Sequence, residues 1–119
     1  MKGPYLAEQL DRYDTVDQTT RVLGLIRQAL TCTQWTETDD QGTSVTWHLT
    51  SLAPGNVGQA EVAVRTTASA PTPVTVDVVY VQEGGYLLSL AYLSSSTPAA
   101  GTLNLYLRQA DARLRQALG

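Results

Sequence analysis

Phenylalanine is absent from this chain of 119 residues, so an apolar core has to be assembled from Leu, Val, the six Tyr and the two Trp. Lysine occurs once, at Lys2, against seven arginines, and the formal charge is −3. No basic field exists to hold phosphates, and neither nucleic acid nor an anionic membrane is an expected partner. The single cysteine, Cys32, excludes an internal disulfide framework and a cysteine-rich zinc site. No apolar run approaches the ~20 residues that span a bilayer. "MKGPYLAEQL" also lacks an apolar stretch of signal-peptide length. The chain as written reads as soluble, without an address of its own, and of a kind that could stand downstream of a leader.

What remains is an ordered globular composition, 43% hydrophobic and 16% charged, of a size for one domain over residues 1–119. "DTVDQTTRVLGLIRQALTC" reads as a helix. Thr15 caps it, Gln18 completes a capping box, and Thr19, Val22, Leu23, Ile26, Ala29 and Leu30 form one stripe. Upstream, "YLAEQLDRY" fits a first strand or a helical lead-in equally well. "QWTETDDQGTSVTWHLTSL" reads as a hairpin turning at Asp39–Gly42, with Val45, Trp47 and Leu49 on one face and Thr46, His48 and Thr50 on the other. "APGNVG" and "TASAPTP" are loops around a strand in which Glu61, Ala63 and Arg65 alternate with Ala60, Val62 and Val64.

"VTVDVVYVQEGGYLLSLAYLS" reads as a second hairpin. A three-residue Glu83-Gly84-Gly85 loop puts Val76, Val78, Tyr80, Leu88, Leu90 and Tyr92 on one apolar side, whereas a two-residue Gly-Gly loop would shift the register. The closing segment is a helix with Thr97 as N-cap, Pro98 at its first position, a stripe of Leu103, Leu107, Ala110, Leu114 and Leu118, and Gly119 as its stop. The expected fold class is α+β: an antiparallel β-sheet of about five to six strands with an N-terminal and a C-terminal helix packed on it, as one layer of sheet and one of helices.

Candidate chemistry is sparse. Cys32 falls at a helix C-terminus, where the dipole disfavours a thiolate, and it reads as a buried, inert side chain rather than a nucleophile. His48, on the strand face opposite Trp47, would have Glu61, Arg65 and Asp77 as neighbours. That set is either a ligand-binding or pH-sensitive patch, or a solvated face with a surface ion pair. One histidine and scattered carboxylates do not supply a metal site, and Asp39-Asp40 lacks the alternate carboxylates of a calcium loop. "EGG" and "APGNVG" lack the lysine and spacing of a phosphate loop, and no serine sits in a nucleophile elbow. Trp35, Trp47, Tyr80, Tyr86 and Tyr92 could line a pocket or simply fill the core.

The combination of "RVLGLIRQALTC", "EVAVRTT", "VTVDVVYVQEGGYLLSLAYLS" and "LRQADARLRQAL" resembles, over about Tyr5 to Leu118, the extracellular sensor domain of mycobacterial PknH-type serine/threonine kinases and of related actinobacterial sensor-domain lipoproteins. The resemblance implies an antiparallel sheet flanked by helices, placed outside the cytoplasmic membrane, that binds an unidentified ligand or partner without catalysis. It also implies a disulfide at the helix-end cysteine. Cys32 matches that position, and the chain has no second cysteine to pair with it.

The expected function is therefore a non-enzymatic, extracytoplasmic sensor-like domain, with no cofactor, whose ligand site draws on His48, Glu61, Arg65 and Asp77, with Trp47 and Tyr92 as apolar walls. Its partner would be a small ligand or a protein, and the chain itself a monomer or weak dimer. The alternative is an assembly module docking through a sheet face that exposes Val79, Val81, Leu87 and Leu93 opposite the helices.

Overall fold

The computed structural model describes residues 4–53, 57–70, 72–99 and 101–118. The expectations placed on Gly119 as a helix stop and on the centre of "APGNVG" as a loop lie outside them. The chain runs β1 (Tyr5–Arg12), α1 (Val16–Ala29), β2 (Gln34–Thr38), β3 (Ser44–Ser51), β4 (Ala60–Ala68), β5 (Val74–Glu83), β6 (Tyr86–Ser94) and α2 (Thr102–Leu118). All six strands form one antiparallel sheet in the order β1-β6-β5-β4-β3-β2. The first helix thus follows a strand rather than opening the fold. Because β1 and β2 occupy opposite edges, the β1–β2 connection has to cross the full width of the sheet, and α1 is the element that makes the crossing.

Local chemistry explains the element ends. Thr15 Oγ1 accepts the Gln18 N–H at 3.1 Å while Gln18 Oε1 accepts the Thr15 N–H at 3.3 Å, the reciprocal capping box read from the sequence. In the β2–β3 turn, Asp39 Oδ1 accepts the N–H groups of Gln41 and Thr43, each at 2.9 Å, and Gly42 takes a φ of 81°. At the end of the chain, Thr97 and Pro98 are not helical. Gly101, at φ 83°, turns the backbone first, and α2 starts at Thr102.

The β5–β6 turn differs from the expected one. Glu83 pairs with Tyr86, so the loop is the two residues Gly84-Gly85, and only Gly84 has positive φ (60°), the pattern of a type II′ turn. In this register Val79 faces Leu90 and Val81 faces Leu88. These four side chains, with Ala63 and Val57, meet Leu103, Leu107 and Ala110 of α2. Each leucine fully removed from water here contributes on the order of 2 kcal/mol.

Side chains alternate across a strand, which settles the layering. Odd-numbered residues of β5 pack under α2, whereas Gln82 reaches the other side and donates from Nε2 to Thr20 Oγ1 of α1 at 2.9 Å. The helices therefore lie on opposite faces, in three layers rather than two. Val79 and Val81 are covered by α2, and Leu87 and Leu93 are on the α1 face, so the four do not form a shared exposed patch. The central strands have apolar side chains on both faces because both faces are covered.

Gly58 is the tightest point of this packing. Its φ is 71°, and a Cβ there would stand 2.5 Å from Val81 Cγ1 and 2.8 Å from the Gln82 carbonyl oxygen. A Cβ at Gly42 would meet nothing within 4 Å. Gly42→Ala is expected to cost about 1 kcal/mol, from backbone strain alone. Gly58→Ala is expected to cost roughly 2–4 kcal/mol, because overpacking adds to the strain. Urea denaturation of the two variants measures the difference; equal midpoints would contradict the packing described.

Candidate functional site

On the α2 face, β4 and β5 set Arg65 directly opposite Asp77. The guanidinium engages the carboxylate side-on, Nε to Oδ1 at 2.7 Å and Nη2 to Oδ2 at 2.8 Å. Asp77 is 3% exposed, and a carboxylate so far from water is stable only with a paired cation or equivalent donors. The hydrogen bond to Asp77 in turn holds the Arg65 pKa above its ordinary value. Of the five N–H donors on an arginine, two are used in this pair, and the other three have no protein acceptor among the described residues.

Arg65 and Asp77 line an open cleft of about 500 Å³ whose rim is formed by Leu52, Thr97, Pro98 and the first turn of α2, including Asn104. The Thr97-Pro98 pair, expected to start a helix, is part of this rim instead. The start of a helix presents backbone N–H groups and a partial positive charge, so the arginine and the helix end bias the cleft the same way. Tyr92 pairs with Asp77 across β5–β6, and its ring stacks on Tyr106 of α2 at 6.2 Å and 21°.

The structure separates the remaining sequence-derived residues. His48 shares the α2 face, opposite Thr67, but is exposed and lines a neighbouring hollow of about 280 Å³ with Thr67, Ser69 and Thr75. Thr97 borders both hollows. Glu61 stands four residues along β4 from Arg65, where its Oε1 accepts the Val57 N–H at 3.2 Å. Trp47 points to the opposite, α1 face, stacked on Trp35 at 6.5 Å, with its buried Nε1 lacking an acceptor among the described residues. It cannot wall the Arg65 cleft. Cys32 is exposed rather than buried, and its Sγ lies 3.4 Å from the Gln34 carbonyl oxygen that accepts its hydrogen bond.

A second polar cluster, not singled out by the sequence reading, pins α2 to the β5–β6 hairpin. Arg115 Nε lies 2.6 Å from Glu83 Oε2 and 2.9 Å from Asp111 Oδ2. Asp111 is 5% exposed, and its buried Oδ1 has no hydrogen-bond partner among the described residues. Burial, reinforced by the adjacent Glu83 carboxylate, pushes the Asp111 pKa up to about 6. The signal in the sequence was an acid inside the Leu107, Ala110, Leu114 stripe, a position where solvent is excluded. Among the described residues no group of three or more His, Cys, Asp and Glu side chains is placed to hold a metal ion. None of the helices is long and apolar enough to cross a membrane.

No family model matches the chain, and no curated protein or solved structure does.

Asp111 generates a pH prediction. Its folded pKa lies above the unfolded value, so the folded state holds the proton more tightly. The stability this confers is complete below about pH 4 and declines as the pH rises to about 6. Asp111→Asn, which mimics the protonated form, is expected to raise stability at pH 7 by on the order of 1–2 kcal/mol. The gain should vanish below pH 4. Denaturation midpoints of the two proteins across this range provide the measurement, and a pH-independent difference would contradict the assignment.

Proposed function

We propose that the chain is a non-catalytic binding domain of the extracytoplasmic sensor type, and that its ligand is a small molecule with an anionic or hydrogen-bond-accepting group. The observation that supports this reading most is the Arg65–Asp77 pair at the floor of the cleft. A guanidinium locked by a nearly buried carboxylate is oriented before a ligand arrives, so less side-chain entropy is lost on binding. The free donors of Arg65 and the positive end of α2 then address an acceptor group. Thr97 links this cleft to the His48 hollow, giving a longer ligand a second polar contact on the same face.

The sensor and extracytoplasmic elements of the proposal rest on the resemblance to PknH-type sensor domains and related lipoproteins. The non-catalytic element rests on the separation of the groups that chemistry would need to bring together. The Cys32 thiol is engaged with a backbone carbonyl next to β2, and His48 is exposed on β3. A groove of about 480 Å³ between α1 and β1, floored by Val78, Leu87 and Ala91, is of comparable size, as is a hollow of about 440 Å³ bordered by Arg27, Leu30 and Leu49. The first contains no arginine and the arginine of the second is exposed, so the Arg65 cleft, with its guanidinium fixed by a nearly buried carboxylate, is the better match to a polar ligand.

The test is a titration of the 15N-labelled protein with succinate, citrate and inorganic phosphate. Amide shifts are expected to concentrate at Arg65, Asp77, Thr97 and Thr102–Asn104. The variant Arg65→Gln/Asp77→Asn removes both charges without leaving one buried alone, and it should lower affinity about tenfold or more, since a charged hydrogen bond contributes roughly 1.5–3 kcal/mol. Shifts located elsewhere, or an unchanged affinity in the folded double variant, would count against the reading.

A further inference from the structure

We propose that β1 is a self-docking edge, through which two copies of this chain pair antiparallel and join their six-stranded sheets into one. The proposal is independent of the Arg65 cleft, which lies three strands away on β4.

The backbone supplies the first observation. The Tyr13 N–H donates to the Gly85 carbonyl oxygen at 2.8 Å, continuing the unbroken register in which Arg12 pairs with Tyr86 and Tyr5 with Leu93. In an antiparallel ladder the N–H and C=O of a residue point to the same side, and successive residues alternate sides. The odd residues of β1 therefore bond to β6, and Leu6, Glu8, Leu10 and Arg12 direct their N–H and C=O groups outward, with no strand beyond them among the described residues. Exposed edges of natural sheets are commonly blunted by Lys, Pro or a bulge. β1 contains none of these over eight residues, and it keeps Tyr5, Leu6 and Leu10 at 54%, 45% and 47% exposure.

The second observation is self-complementarity. A twofold axis normal to the sheet keeps each side chain on its own face only when the numbers of paired residues add to an even sum. Centring the axis on Glu8 sets two glutamates directly opposite each other, which is unfavourable. Centring it on Gln9 pairs Leu6 with the partner's Arg12 and Glu8 with the partner's Leu10, which uses every outward backbone group. Each Glu8 then lies diagonal to the partner's Arg12 on one side and to the partner's Glu8 on the other. Glu8 is also neutralised within its own chain by Arg113 at 2.9 Å, so the glutamates near the axis are not bare charges. The other edge is a poorer candidate. β2 has five residues, and Glu37, Asp39 and Asp40 at its end have no basic residue among them. An extended segment of a different protein could use the same backbone groups, but the internal match of β1 with itself favours a second copy.

Sedimentation and cross-linking test this together. The weight-average mass should climb with concentration from 12.8 kDa toward twice that value. Leu10→Lys, which places an edge charge without touching the β6 ladder, should remain monomeric and retain the wild-type unfolding transition. In a Cys32→Ser background, Gln9→Cys should form an interchain disulfide readily, because the axis sets the two residues in a non-hydrogen-bonded pair with Cα atoms about 4.5 Å apart. Ala7→Cys should not, its mate being roughly 14 Å away along the strand. A mass fixed at the monomer value at all concentrations would overturn the proposal. So would a dimer that survives Leu10→Lys, or equal cross-linking of Ala7→Cys and Gln9→Cys.

Discussion

The register between β5 and β6 is the constraint on which the rest of the molecule depends. Their direct pairing, closed by Gly84-Gly85, decides which side chain of β6 lies beside which of β5. It sets Leu88 and Leu90 beside Val81 and Val79 under α2, and Ser89 and Ala91 beside Tyr80 and Val78 on the α1 side. A slip of one residue would exchange the two sets and remove two leucines from beneath α2. The same pairing puts Tyr92 next to Asp77, so the stacked Tyr92–Tyr106 contact and the floor of the cleft inherit their geometry from that turn.

Two nearly buried aspartates show how the fold handles charge away from water. Asp77 meets a side-on guanidinium, and the pair is held rigid at the base of a cleft. Asp111 is kept from water and faces a second carboxylate, Glu83, so burial first and Glu83 second destabilise its ionised form, and an arginine that is largely in solvent offsets this only in part. The first arrangement leaves three Arg65 donors without an acceptor among the described residues, beside a cleft that the side chain lines. The second leaves a proton-dependent joint between α2 and the hairpin, and Glu83 also borders the crowded Gly58 backbone. The two side chains are similarly buried, 3% and 5% exposed, and differ in their partners: a guanidinium held side-on against one, a carboxylate beside the other.

Much of the architecture was legible where local and periodic signals agreed. The Thr15–Gln18 box and the Leu23 stripe gave α1 its start and its inner side, and Asp39 with Gly42 marked the β2–β3 turn. Strand β1 was ambiguous because an edge strand exposed on both sides has no reason to alternate, and "YLAEQLDR" is rich in helix formers. The layering was misread because β5 is apolar at both parities. Val76 and Val78 compete with Val79 and Val81, so a rule that looks for one oily side accepts either turn length. The Thr97-Pro98 start signal was locally sound, but Gly101 bends the chain before a helix forms. Among the site residues, Arg65 and Asp77 were recognisable as same-face neighbours. The displacement of Trp47 to the other face follows from its opposite parity to His48, whereas Asp111 stood in the sequence as an acid within the α2 stripe, and only its neighbour Glu83, on a distant strand, needed the structure to be seen.

The most direct measurement is of cross-strand Hα–Hα contacts in the NMR spectrum of the folded chain. With a two-residue Gly84-Gly85 turn, close contacts belong to the non-hydrogen-bonded pairs Tyr80–Ser89 and Val78–Ala91. Cross-peaks at those two pairs are the expected result. Cross-peaks at Val81–Leu87 and Val79–Ser89 instead would mean a three-residue turn and would overturn the assignment of faces from which the core, the cleft and the position of α2 were derived.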